Sequence, residues 1–174
     1  YVTGKFQGTA DFDPGAGTTN LTSAGERDIF LAKYSSNGAL TWAKSMGGIY
    51  SEEGNSIALD GGGNVYITGY FRGTADFDPG SGTTNLISNG IYDIFFAKYD
   101  SNGTLIWAKN VGNIANDFGN SIAVDGSGNV YVTGQFSGTA DFDPGSGTTN
   151  LTVGGVFNIF LAKYDSDGSL IWAK

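Results

Sequence analysis

Apolar and polar residues alternate in NSIAVD (Asn120–Asp125) and again in VYVTGQF (Val130–Phe136), placing every second side chain on one face of an extended strand. GSGN (Gly126–Asn129) separates the two runs with turn formers, so the pair predicts a β-hairpin. Further on, FNIFLAKYD (Phe157–Asp165) predicts a strand, SDG (Ser166–Gly168) a turn and SLIWAK (Ser169–Lys174) a returning strand. Apolar positions never recur at helical spacing over a long run, so no helix is expected.

The same pattern comes round with a period of 65 residues, the spacing of Asp11, Asp76 and Asp141. Tyr1, Tyr66 and Tyr131 fall into this register, as do Trp42, Trp107 and Trp172. GTADFDPGAGTTNL (Gly8–Leu21) returns as GTADFDPGSGTTNL at Gly73–Leu86 and Gly138–Leu151. A fixed period is the signature of a repeat architecture. The chain divides into repeats at 1–65, 66–130 and 131–174, with structural boundaries near 54 and 119. Each unit offers four antiparallel strands, with the DFDPG stretch as an excursion between the second and third. That is an all-β fold of tandem four-stranded β-propeller blades, or else an open β-solenoid or filament of stacked repeats. The first blade lacks its first strand. Tyr164, Trp172 and Ile159, with their equivalents, are suited to packing between neighbours.

Composition removes several kinds of chemistry. The chain has no Cys and no His, which excludes thiol nucleophiles, Ser-His-Asp triads and imidazole or thiolate metal sites. A formal charge of −8 with nine Lys or Arg leaves no basic footprint for nucleic acid. An acidic surface suits cations rather than anionic membranes, and no apolar run approaches the ~20 residues of a membrane helix. The chain opens at Tyr1 in the middle of a repeat and reads as an excerpt of a longer or processed protein.

GNSIAVDGSGNVYVTG (Gly119–Gly134), together with DIFFAKYDSNGTLIWAK (Asp93–Lys109), resembles the SBBP-type bacterial β-propeller repeat. The inserted DFDPGSGTTNL is similar to the version found in large secreted or surface-anchored proteins of Bacteroidetes and related bacteria. The resemblance implies a propeller in an exported, extracellular or cell-surface protein, and no catalytic residues, because that family is defined by its scaffold. Three units are too few to close a propeller, which has about four to eight blades. Either the array continues beyond these residues, or open strand edges are expected to drive self-association, closing the sheet or stacking as an open filament.

Within each repeat the DFDPG element is the candidate site. Asp11 and Asp13, Asp76 and Asp78, and Asp141 and Asp143 lie at i and i+2, on one face if extended. With the following glycines they suit a structural Ca²⁺, which takes about 6–8 hard oxygens. The competing reading is turn chemistry, with Asp accepting backbone N–H groups and Pro fixing φ. The acidic turns DSNG/DSDG and DGGG/DGSG read as simple hairpin turns. Asn20, Asn102 and Asn150 open N-x-[ST] tripeptides.

Differences between copies collect in SAGERD (Ser23–Asp28), SNGIYD (Ser88–Asp93) and VGGVFN (Val153–Asn158), and in SMGGIYSEE (Ser45–Glu53) against NVGNIANDF (Asn110–Phe118). Variable loops on a rigid scaffold are where recognition resides. Tyr50, Tyr92, Phe118 and Phe157 are the candidate contacts to a glycan or a surface protein. A non-catalytic extracellular scaffold for adhesion, matrix or filament is the expected function, with a glycan- or protein-binding propeller as the alternative. An enzyme is disfavoured, because the paired carboxylates repeat identically whereas a catalytic centre is a single asymmetric site.

Overall fold

Strand follows strand through all of Tyr1–Lys174 in the computed structural model, and no helix interrupts them. The first repeat holds β1 (Val2–Phe6), a small hairpin of β2 (Thr9–Asp11) and β3 (Asn20–Thr22), then β4 (Asp28–Tyr34) and β5 (Leu40–Gly48). The second holds β6 (Glu53–Leu59), β7 (Val65–Phe71), the hairpin β8 (Thr74–Asp76) and β9 (Asn85–Ile87), β10 (Asp93–Tyr99) and β11 (Leu105–Val111). The third holds β12 (Phe118–Val124), β13 (Val130–Phe136), the hairpin β14 (Thr139–Asp141) and β15 (Asn150–Thr152), β16 (Asn158–Tyr164) and β17 (Leu170–Ala173).

Two complete four-stranded antiparallel sheets result, β6-β7-β10-β11 and β12-β13-β16-β17. The first sheet has β1, β4 and β5 and lacks the strand that β6 and β12 supply in the others, leaving β1 at an open edge. Register is repeated along with sequence. Each third-to-fourth strand pair carries a bulge at the same place, between Lys33 and Tyr34, Lys98 and Tyr99, and Lys163 and Tyr164. At the turn that follows, Gly103 adopts φ +77°, which a side chain would strain, while Asp100 accepts the N–H groups of Asn102 and Thr104.

The three sheets lie side by side, the first strand of each against the first two strands of the sheet before it. Their facing sides form the core. Tyr66, Ile94, Phe96 and Val111 of the second blade meet Ile122, Val130, Val132 and Tyr164 of the third. Ile29, Leu31 and Met46 of the first meet Val65, Ile67 and Tyr99 of the second. Fully burying one such side chain contributes about 1.5–3 kcal/mol, so these faces dominate the packing. Tyr164 does sit between blades, its ring 4.3 Å from that of Phe96. Trp107 also reaches across, its Nε1 donating to the Ser166 carbonyl of the next blade at 3.1 Å. Ile159 is different. It is 80% exposed, whereas Ile94 and Ile29 at the same place in the repeat are fully buried, because no sheet covers β16.

The DFDPG stretch is more than an excursion. β8 pairs with β5 through Gly47 and Asp76 and through Gly48 and Ala75, and a bridge joins Gly112 to Asp141. The second and third inserted hairpins are thereby stitched to the end of the preceding blade, while β2 and β3 pair only with each other. Three-residue strands such as TAD and NLT are too short to show this in a hydropathy pattern.

Candidate functional site

The six aspartates of the DFDPG elements build their own turns. Asp11 Oδ1 accepts the N–H groups of Asp13 at 3.0 Å and Thr19 at 2.8 Å, and Asp13 Oδ1 accepts Gly15 N–H at 2.8 Å. The same three bonds recur at Asp76 and Asp78, and at Asp141 and Asp143. Those donated bonds hold Asp11 below the usual carboxylate range. Any side chain on Gly17, Gly82 or Gly147 would run into the second oxygen of Asp13, Asp78 or Asp143, which fixes glycine there. No third acidic side chain joins any pair. Two carboxylates with an oxygen each already engaged by the backbone make a poor cage for an ion that needs six or more hard ligands. The geometry fits the turn role.

The residue between the two aspartates anchors the hairpin. Phe77 and Phe142 are completely buried, and Phe12 partly so. Phe77 packs edge-on against Phe71 at 5.5 Å and tilted against Phe95 at 4.9 Å, and Phe142 repeats this with Phe136 and Phe160. Its carbonyl accepts the hydroxyl of the tyrosine ending the third strand, Tyr99 for Phe77 and Tyr164 for Phe142. Burial, with the nearby aspartates, pushes both tyrosine hydroxyls up, so they remain donors.

A second set of acids escaped sequence reasoning. Asp28, Glu52, Asp93 and Asp117 are buried at the junctions between blades, where the variable loops meet. Those loops pair with each other. Parallel bridges join Arg27 to Ser51 and Tyr92 to Asn116, and Glu52 N–H donates to the Arg27 carbonyl as Asp117 N–H does to Tyr92. Asp28 accepts Ala24 N–H, Glu52 accepts Gly48 N–H, Asp93 accepts Asn89 N–H, and Asp117 accepts both Asn113 and Ser137 N–H. Burial pushes all four carboxyls up, Glu52 to about 7 and Asp93 to about 6, and the neighbouring carboxylate adds to both. One signal was available. Glu52 and Asp117 occupy equivalent places one repeat apart, so an acid is retained inside a loop that otherwise changes.

Three of the four aromatic candidates come together. Phe118 lies 5.8 Å from Tyr92 and 6.2 Å from Phe157, and Tyr70 joins them at 5.0 Å from Phe118. Tyr50 stands apart, with the Arg72 guanidinium 4.7 Å above its ring.

Tandem antiparallel sheets packed against one another, with short inserted hairpins, make this an all-β repeat protein, and a family match supports repeats of the β-propeller type. Residues 106–136 match a family described as a beta-propeller repeat, SBBP. The matched stretch runs from β11 through β13 and so contains the junction acid Asp117. An uncharacterized WD repeat-containing protein, L264, of Acanthamoeba polyphaga mimivirus is 33% identical over 171 aligned residues, covering 84% of this chain and 12% of that protein. The regulatory protein FlaEY of Caulobacter vibrioides is 29% identical over 145 residues, covering 83% of this chain and 15% of its own. The chain thus spans under a sixth of the length of these curated relatives.

Proposed function

We propose that the protein is a non-catalytic structural repeat module of a bacterial surface or extracellular scaffold, and that it assembles by docking blade onto blade. The observation that carries this reading is the exposed face of β16. Ile159 and Leu161 are 80% and 43% exposed, whereas their counterparts Ile94 and Phe96, and Ile29 and Leu31, are fully buried under the following blade. At the other end Val2 is 46% exposed, while its counterparts Ile67 and Val132 are covered. The faces of β1 and β16 are the two halves of the interface already made twice internally, and each can seat a further blade, of the same array or of another copy. A head-to-tail contact of this kind is heterologous and continues until it closes or forms a fibre. Assembly through faces, with the open edge of β1 beside them, refines the expectation of association through strand edges alone.

Sedimentation of the chain across concentrations tests this. Self-association is expected, and Leu161→Asp should leave a folded monomer. A monomeric native chain, or an unchanged association in that variant, would overturn the reading.

A glycan- or protein-binding role has one observation in its favour, the cluster of Tyr70, Tyr92, Phe118 and Phe157 at the loop end of the blades. Aromatic faces of this kind stack on sugar rings and anchor protein interfaces. Glycan-array binding that is lost in Phe157→Ala would favour it, and an empty array would leave the scaffold.

A further inference from the structure

Asp28 and Glu52 at the first blade junction, and Asp93 and Asp117 at the second, are buried as two pairs of carboxyls. Asp28 and Asp93 open the third long strand of a blade, β4 and β10, while Glu52 and Asp117 immediately precede the first strand of the next, β6 and β12. Folding brings each pair to one point. Beside Gly47, where a side chain would begin, Asp28 Oδ1 lies 2.8 Å away and Glu52 Oε2 2.7 Å. One repeat on, the matching point at Gly112 has Asp93 Oδ1 at 2.9 Å and Asp117 Oδ2 at 3.0 Å. Backbone N–H groups satisfy most of these oxygens. One oxygen in each pair is buried with no partner, Glu52 Oε1 in the first and Asp93 Oδ1 in the second. Buried polar groups are almost always satisfied, so each exception calls for a reason.

No positive charge offsets either pair. The ion pairs of the protein, Lys5–Glu53 and Lys163–Asp125, involve none of the four acids. Facing Glu52 are two further acids, Asp28 on β4 and Glu26 in the loop before it. Facing Asp93 are Asp117 and the neutral Asn110 of β11. Asp28 is bonded by Ala24 N–H, and Asp117 by the N–H groups of Asn113 and Ser137. Lys5 and Arg27 act instead on Glu53, which the Tyr70 hydroxyl also bonds.

Two ionised carboxylates buried side by side without a counter-charge are strongly unfavourable, and the least costly remedy is for one of them to keep its proton. Protonation also turns an oxygen that lacks a donor into a donor itself. We propose that each blade junction is a proton-held latch, in which Glu52 at the first and Asp93 at the second carry a proton that keeps the loops of adjacent blades paired, and that losing the proton loosens the junction. The members with the unpartnered oxygens are also those that burial, reinforced by the neighbouring acid, raises furthest, Glu52 from 4.5 to about 7 and Asp93 from 3.8 to about 6. The latch is therefore fully closed below pH 4.5 at the first junction and below pH 3.8 at the second. Its contribution is lost as pH rises through about 7 and about 6 respectively. What it secures is local: the parallel bridges Arg27–Ser51 and Tyr92–Asn116, and the bonds from Glu52 N–H to the Arg27 carbonyl and from Asp117 N–H to that of Tyr92.

Amide hydrogen exchange of the intact chain at pH 5 and pH 8, corrected for intrinsic rates, tests the proposal. The opening constant at the Glu52 and Asp117 amides is expected to rise by about tenfold or more at pH 8. Glu52→Gln, neutral and close to isosteric, should abolish the response at the first junction alone, and Asp93→Asn at the second alone. The double variant should stay closed at both pH values, whereas Asp76→Asn, in a DFDPG turn, should keep both responses. Infrared difference spectra of the native chain against the double variant at pH 5 should show the carbonyl stretch of protonated carboxyls. Junction exchange that ignores pH in the native chain would overturn the proposal, and that measurement needs no variant to fold. A pH response that survives in the double variant, or a difference spectrum with carboxylate bands alone, would overturn it as well.

Discussion

The second and third blades carry nearly the same sequence and present it to different surroundings. β10 of the second is covered by the third, and Ile94 and Phe96 disappear completely from solvent. β16 of the third is uncovered, and Ile159 and Leu161 stand exposed at the same positions of the repeat. An apolar residue in such a protein belongs to the core only where a neighbour arrives. The repeat therefore specifies an interface as much as an interior, which is how stability is distributed in stacked repeats.

Truncation should separate the two faces most sharply. Phe96→Ala is expected to cost about 3–5 kcal/mol in urea unfolding, because it opens a cavity between two blades. Leu161→Ala, at the matching exposed position, should change monomer stability by no more than about 0.5 kcal/mol. Equal losses would mean that the β16 face is covered in solution even in the isolated chain.

Next in size is the clamp on the inserted hairpin. Tyr99 is fully buried and donates its hydroxyl to the Phe77 carbonyl at 3.0 Å, while Tyr34, at the less covered first blade, makes the same bond to Phe12. Tyr99→Phe leaves that carbonyl unpaired and should cost about 1–2 kcal/mol, and Tyr34→Phe less, since water can replace the lost donor. Chemical denaturation of the two variants side by side measures the difference.

Acid and base limbs of the stability curve separate the two kinds of carboxylate. Glu52 is raised from 4.5 to about 7 by burial, so the folded state holds a proton that the unfolded chain releases. Its contribution is complete below pH 4.5 and is lost as pH rises through about 7. Asp125, bonded by Asn129, Ser127 and Tyr131, is lowered from 3.8 to about 2, and its contribution runs the other way. It is present above pH 3.8 and is lost as pH falls toward 2. Melts should therefore shift upward from pH 8 to pH 5 and downward below pH 4. Glu52→Gln should flatten the first slope, and Asp125→Asn the second, which is the smaller effect because Asp125 is solvated.

Much of this architecture was legible in the sequence. Alternation in NSIAVD and VYVTGQF marked paired strands, and the 65-residue spacing of the tyrosines and tryptophans marked blades, the first of them short of a strand. The inserted hairpin was less legible, because β8 and β9 are three residues each and hold their place through the Phe77 ring and a carbonyl rather than through a pattern. The conspicuous DFDPG aspartates drew attention because carboxylates at i and i+2 look alike whether they serve a turn or an ion. Their bonds to Thr19, Thr84 and Thr149, eight residues on, depend on how the loop closes. The junction acids were hidden for the opposite reason. Glu52 and Asp117 sit in loops that vary around them, and Asp28 and Asp93 meet them only after two separate loops have paired.

Head-to-tail docking of blades is tested most directly by cross-linking, for which a chain without cysteine is a clean background. Chains carrying Leu161→Cys and chains carrying Val2→Cys would be mixed under mild oxidation. The account predicts a disulfide between the two kinds of chain, formed faster than in either alone and suppressed by adding Ile159→Asp to the first. Cross-links confined to Leu161→Cys chains, or none above the rate of random collision, would contradict it.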